Sequence, residues 1–157
     1  MAAPTPTTRV TPDGIKLDDG YQTLVTFEAD TNISFWEKSI NPPGLDGGET
    51  NDTTTMHNVT YRTSAPRALK TMTEMTITAA YDPDLYDEAL ALINVETVIT
   101  VTFPDGSTLA FWGYLRVFAP SEVAEGSQPE CSLTIQPTNQ DTDGAEQAAV
   151  MTEVAGT

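Results

Sequence analysis

The chain has 157 residues, enough to bury a core without cross-links, and its 39% hydrophobic content suits one globular domain. Its 23 Asp and Glu against 7 Lys and Arg give a formal net charge of -16, and no Lys or Arg follows Arg116. Affinity for nucleic acid comes mainly from cations that displace counterions condensed on phosphates, so this balance excludes a nucleic-acid clamp.

Residues 1-20 are rich in Pro, Thr and Asp and are expected to form an N-terminal arm rather than core. The opening MAAPTPTTR has no apolar signal-peptide stretch, and no run in the chain approaches membrane-spanning length. The expectation is a protein made in the cytoplasm, with no membrane partner. Strands are expected from Tyr21 to Ala29, with Tyr21, Val25 and Phe27 on one side, and from Ile33 to Lys38. The stretch NPPGLDGGETNDTTT, Asn41 to Thr55, has two prolines, three glycines and only Leu45 as an aliphatic, so it cannot be strand or helix throughout. Long connections of this kind are usually functional or disordered.

In MHNVTYRT, His57, Val59 and Tyr61 alternate with Asn58, Thr60 and Arg62, the pattern of a half-buried strand. A further strand is expected from about Lys70 to Ala80, with Met75, Ile77 and Ala79 inward. DPDLYDEALALIN is the one convincing helix. Asp82 can cap it, Pro83 suits its first turn, and Asp84, Asp87 and Glu88 sit near the positive end of its dipole. Leu85, Ala89, Leu92 and Ile93 form one apolar stripe, and Asn94 can end the helix in a left-handed conformation.

VITVTFPDGSTLAFWGYLRVF then reads as a hairpin turning at Asp105-Gly106. Its first arm has one dry face, made by Val95, Ile99, Val101 and Phe103. The second places Leu109, Phe111, Leu115 and Val117 on one face and Trp112, Tyr114 and Phe118 on the other, beside Arg116. Leaving those three aromatics in solvent would create a sticky patch, so either the helix or another copy of the chain should cover them. After a polar connection, Cys131, Leu133 and Ile135 alternate with Ser132, Thr134 and Gln136 in a last strand. Beyond Asn139 an acidic, flexible tail is expected, residues 140-157. The resulting fold class is mainly β: an antiparallel β-sandwich or flattened barrel with one flanking α-helix and a long inter-strand loop.

Catalytic chemistry finds little support. The single His57 lies on the apolar side of an expected strand, and Cys131 alternates like a small core residue, so a packed imidazole and an inert thiol are favoured over a nucleophile and its base. One His and one Cys cannot supply a typical zinc site, and a lone Cys makes no internal disulfide. NQDTDG, Asn139 to Gly144, resembles the start of an EF-hand loop, but Val150 stands where its bidentate Glu should be. No enzymatic activity, cofactor or metal is expected.

The series NPPGLDGG, DTTTMHN, YRTSAPRALKT, AYDP, LINV, FPDGSTLAFWGYL, EGSQPE and LTIQPTN, spanning Asn41 to Asn139 in order, resembles the major tail tube protein of long flexible-tailed, non-contractile bacteriophages. The resemblance implies that residues 21-139 form a tail tube β-sandwich domain that assembles into hexameric rings stacked as a tube. It implies a virion tail location and a tape-measure protein enclosed in the bore. Tail terminator and distal tail or baseplate proteins would sit at the ends, and DNA would pass during ejection without specific binding. The alternative is another tail component, such as a terminator, distal ring or decoration domain. For the loop, the resemblance implies contacts with adjacent subunits or rings through Asn41, Pro42, Pro43, Gly44, Leu45, Asp46, Gly47, Gly48, Asn51 and Asp52. Trp112, Tyr114 and Phe118 are the candidate packing face. Glu28, Glu74, Glu96 and Glu130, on the polar parity of expected strands, are candidate lumen carboxylates. Such wall charges act over only about 8 Å at physiological salt, enough to stop phosphates adhering but not to push DNA.

Overall fold

The computed structural model describes residue 20 and residues 22–153. Tyr21, the rest of the expected N-terminal arm, and residues 154–157 of the expected tail lie outside the described residues.

Seven strands form one antiparallel sheet. They are β1 (Leu24–Phe27), β2 (Trp36–Asn41), β7 (Met75–Ala80), β8 (Thr97–Thr102), β9 (Thr108–Pro120), β10 (Glu130–Pro137) and β11 (Val150–Thr152). Their order is β1-β8-β9-β10-β7-β2, with β11 also on β9. The long strand β9 is the spine. Its first half, Thr108 to Gly113, pairs with β8, and its second half, Gly113 to Pro120, pairs with β10. β11 runs beside Thr108 to Ala110. Gly113 sits at the junction, where an added Cβ would lie 2.7 Å from the Gln136 carbonyl oxygen. Only glycine lets the two backbones come that close.

The inward residues of both halves, among them Val25, Phe27, Ile99 and Phe111 from one and Leu115, Leu133, Ile135 and Ile77 from the other, join a single buried cluster. The sheet therefore folds onto itself as a flattened sandwich. Fully burying each such side chain stabilises by about 1.5–3 kcal/mol. The two outermost strands, β1 and β2, meet through a side chain rather than a ladder: the Val25 amide donates to Glu37 Oε1 at 3.2 Å. A register shift between Glu37 and Ser39 places that carboxylate at the seam.

The helix forms where the sequence places it. Asp82 accepts from the Asp84 amide at 3.0 Å and caps a 3-10 turn over Pro83–Leu85 that runs into α1 (Tyr86–Leu92). Ala89 and Leu92 are buried, and Asn94 ends the element at φ 62°. The Asn94 amide donates to the Leu115 carbonyl at 3.0 Å, which ties the helix exit to β9. At the hairpin tip Gly106 has φ 88°, and Asp105 accepts from the Ser107 amide at 2.9 Å.

Three expectations are corrected. First, the region from Asn41 to about Thr73 is neither a plain loop nor a loop followed by a half-buried strand. It is a ribbon continuing the β2–β7 hairpin outward, held by the short ladders β3 (Leu45–Asp46) with β6 (Thr71–Met72) and β4 (Asn51–Asp52) with β5 (Ser64–Ala65). MHNVTYRT forms most of its tip, because Asn58 turns the chain there. Its side chain accepts from the Thr55 amide at 2.8 Å and donates to the Tyr61 carbonyl at 3.0 Å. His57 is exposed, not on an apolar face.

Second, residues 140–153 of the expected flexible tail are folded. Asp141 gathers the amides of Asp143 and Ala145 and the Gln147 side chain at 2.9–3.0 Å, and β11 then pairs with β9. Third, Trp112, Tyr114 and Phe118 do not share a face. Between Thr134 and Ile135 the register with β9 shifts so that Arg116 is the extra residue. The bulge inverts the alternation beyond it, sending Phe118 toward the core side and leaving Val117 exposed.

Candidate assembly interface

The ribbon is the most exposed part of the described chain. Its base is anchored: Pro43 and Met72 are buried, the Thr73 amide donates to the Gly44 carbonyl at 2.9 Å, and the Gly44 amide donates to Thr73 Oγ1 at 2.7 Å. Of the loop residues singled out in the sequence, Asn41 closes β2, Pro42, Pro43 and Gly44 form the base, and Leu45 and Asp46 form β3. Gly47 and Gly48 form the irregular step, and Asn51 and Asp52 form β4. Gly48 has φ 78°, a left-handed conformation that favours glycine, and its amide donates to Asp46 Oδ1 at 2.8 Å. Leu45 is 70% exposed.

The ribbon's outer residues were missed by sequence reasoning. Met56, Val59 and Tyr61 are 100%, 98% and 81% exposed. The alternation of His57, Val59 and Tyr61 reads as a buried face, and no local signal distinguishes a strand with a partner sheet from a ribbon without one. At the tip, hydrogen bonds among the side chains of Thr53, Thr54, Thr55, Asn58 and Thr63, two of them to the Thr63 backbone, hold the turn without any core. An isolated two-stranded ribbon is marginal in water, so these side chains are placed to gain most from a partner surface.

The aromatics of β9 are covered from within the chain, in two places. Phe118 packs against Tyr86 of α1, with ring centroids 5.9 Å apart, and against Tyr81 at 6.4 Å. Trp112 is half-buried opposite Val98, and the C-terminal segment borders it: Gln147, Ala148 and Val150 line a groove of about 140 Å³ beside the indole. Tyr114, half-buried, faces outward beside Gln136.

The four candidate carboxylates separate into two pairs. Glu74 and Glu130 lie on the outer face of the β9–β10–β7–β2 half, with Thr76, Thr78, Ser132 and Thr134 between them. Both are ion-paired, Glu74 with Arg116 at 2.8 Å and Glu130 with Lys38. Glu28 and Glu96 sit instead where β1 and β8 leave their ladder, and the Glu28 amide donates to the Val98 carbonyl at 3.0 Å.

Hydrogen bonds hold the exposed Asp52 and Asp105 carboxyls and the half-buried Asp141 carboxyl below the usual aspartate range. Asp52 and Asp105 receive them chiefly from the hydroxyls of Thr54 and Ser107, and Asp141 chiefly from the Ala145 amide. Burial pushes the Glu37 carboxyl and the Cys131 thiol up. Among the described residues, no three His, Cys, Asp or Glu side chains come together as metal ligands.

No protein-family model and no curated protein sequence matches this chain. Solved structures do resemble it. A chain in the virion of a native gene transfer agent particle superposes with a TM-score of 0.60 at 14% identity, covering 87% of this chain and 99% of that one. A chain in the tail of an empty gene transfer agent particle, with C6 symmetry, gives 0.59 at 11% identity over 88% and 99%. A chain of the six-fold symmetrised anti-feeding prophage baseplate gives 0.52 at 9% identity over 83% and 90%. At these identities the likeness is one of fold.

Proposed function

We propose that this chain is a structural subunit of a phage-type tail, self-assembling into hexameric rings that stack into a tail tube. The tube would enclose the tape-measure protein, end at terminator and distal tail or baseplate proteins, and conduct DNA during ejection. The observation that carries this reading is the correspondence of fold, over nearly the whole of both chains, with a subunit of a C6-symmetric tail. The exposed ribbon adds support, since a lone monomer has no use for a projecting strip of apolar side chains. The ordered phrases from Asn41 to Asn139 point the same way.

Electron microscopy of concentrated purified protein, alone and with tape-measure and initiator components, tests it. Rings or tubes about a central hole are expected, with six subunits per ring. A sample monomeric in every condition overturns the reading. The likeness to a baseplate chain favours a second reading, a ring component at the distal end. Single rings that never stack, or few copies per particle, would select it.

A further inference from the structure

Three Asp-Gly dipeptides lie wholly within the described residues: Asp46-Gly47, Asp105-Gly106 and Asp143-Gly144. In such a dipeptide the nitrogen after the aspartate can attack the side-chain carboxyl, because glycine puts no side chain in the way. Whether it does so in a folded chain depends on what holds that nitrogen and that carboxyl. The Gly106 amide is occupied, donating to the Phe103 carbonyl at 2.9 Å, and the Asp105 carboxyl is held by the amide and hydroxyl of Ser107 at 2.9 and 2.6 Å. The Gly144 amide is occupied too, donating to the Asp141 carbonyl at 3.0 Å. The Gly47 amide has no partner among the described residues, and nothing lies within 4 Å of where its Cβ would be. Asp46 Oδ1 accepts from the Gly48 amide at 2.8 Å, a turn that folds the carboxyl back over the intervening Gly47 nitrogen. The backbone there is also easily opened for the rotation the attack needs, since β3 and β6 share only the pairs Leu45–Met72 and Asp46–Thr71.

We propose that Asp46-Gly47 is a site of spontaneous modification, isomerising to isoaspartate while the fold holds back the other two described Asp-Gly dipeptides. The Gly47 nitrogen attacks Asp46 Cγ in its neutral acid form. An N–Cγ bond forms, a Cγ–O bond breaks, and the hydroxyl leaves with the amide proton as water. The product is a five-membered succinimide. Solvent water, free to reach this exposed strand, then opens the ring at one of its two carbonyls. Opening at Cγ restores aspartate. Opening at the α-carbonyl breaks its bond to the Gly47 nitrogen and leaves the chain running through Cγ, with mass and charge unchanged and one more methylene in the main chain. No oxidant, reductant or enzyme takes part. The added methylene displaces Asp46 from its pairing with Thr71 and removes the carboxyl that holds the Gly48 amide, so the ribbon beyond leaves its register while Leu45–Met72 still pairs at the base. On the reading that the ribbon serves assembly, subunits that wait unassembled lose competence with age.

The test compares full-length wild type with Gly47→Ala, both aged for weeks at neutral pH. Alanine fits at this position, because the space is open and the Gly47 φ lies outside the left-handed region, yet its methyl group hinders the attack. Trypsin places the three dipeptides in separate fragments, residues 39–62, 71–116 and 117–157. Isoaspartate is counted in each by enzymatic methylation and by a shift in retention at unchanged mass. Fragment 39–62 of wild type is expected to carry about tenfold more than either of the others, and Gly47→Ala to lower it about tenfold. In chain aged in guanidinium chloride the three fragments should converge. Equal isoaspartate in all three native fragments overturns the proposal. So does an unchanged count in Gly47→Ala, which would move the site to Asp52 of the same fragment, and so does the native ranking persisting in denaturant, which would make the sequence and not the fold responsible. By sedimentation and electron microscopy, aged wild type should assemble less than aged Gly47→Ala; equal assembly despite isoaspartate in the ribbon overturns the loss of competence. A fresh wild type that never assembles removes the parent reading instead, and the fragment counts still decide the site.

Discussion

Gly113 has no room for a methyl group. Its missing Cβ would press within 2.7 Å of the Gln136 carbonyl oxygen and 3.2 Å of Pro137 Cα, both backbone atoms of a central strand that cannot swing aside. Gly113→Ala is therefore expected to destabilise the fold by about 1–3 kcal/mol, read as a lower urea midpoint with an unchanged slope. Two carboxylates act on stability with opposite signs. Burial raises Glu37 in the folded state, so the cost of its charge is absent below the unfolded value and grows as pH rises through the folded one. Glu37→Gln keeps an acceptor for Val25, so it should match wild type in acid and exceed it at neutral pH by less than about 1 kcal/mol. Hydrogen bonds from Ser107 lower Asp105, so its contribution is present above the unfolded value and fades as pH falls through the folded one. Urea titrations on either side of about pH 4 should show a shallower acid limb in Asp105→Asn. At this scale the Asp105-Gly106 turn was legible in the sequence, because its chemistry is local. The bulge at Arg116 was not, because an extra residue is defined only against the partner strand.

Among the elements, the helix could be read because cap, apolar stripe and left-handed exit all lie within one short stretch, from Asp82 to Asn94. The ribbon could not, because its alternation equals that of a strand packed on a core. Only the non-local fact of having no sheet beneath it separates the two. Replacing residues 46–71 with Asn-Gly would rejoin Leu45 and Met72, which already pair, through a favourable two-residue turn. The body should keep its stability within about 1 kcal/mol by thermal melting, since Pro43 and Met72 remain to fill the base. Ring or tube formation should be lost. The C-terminal strand is the converse case, an element that serves its own monomer. Removing residues 147–157 should uncover Trp112, lower stability by about 1–2 kcal/mol and red-shift its emission. Trp36, already 65% exposed, provides a constant background.

For the whole molecule, the mainly β class and the antiparallel sandwich followed from period-two patterning that each strand carries on its own. Which faces stay dry followed only in part. The sequence pointed to a strand covered on both sides, and the chain supplies much of that cover itself: α1 over Phe118, residues 147–150 beside Trp112. What is left open is the ribbon and the polar outer face bearing Glu74 and Glu130, so association is expected through these rather than through the aromatics. The position of β9 has a further consequence. Because one strand belongs to both halves of the sandwich, neither half can open while the other keeps its ladder, and the body should behave as a single cooperative unit. Amide hydrogen exchange gives the measure: Phe111 and Leu115, on opposite sides of the shared glycine, should exchange at one common, slowest rate set by global unfolding, while amides at the ribbon tip exchange orders of magnitude faster.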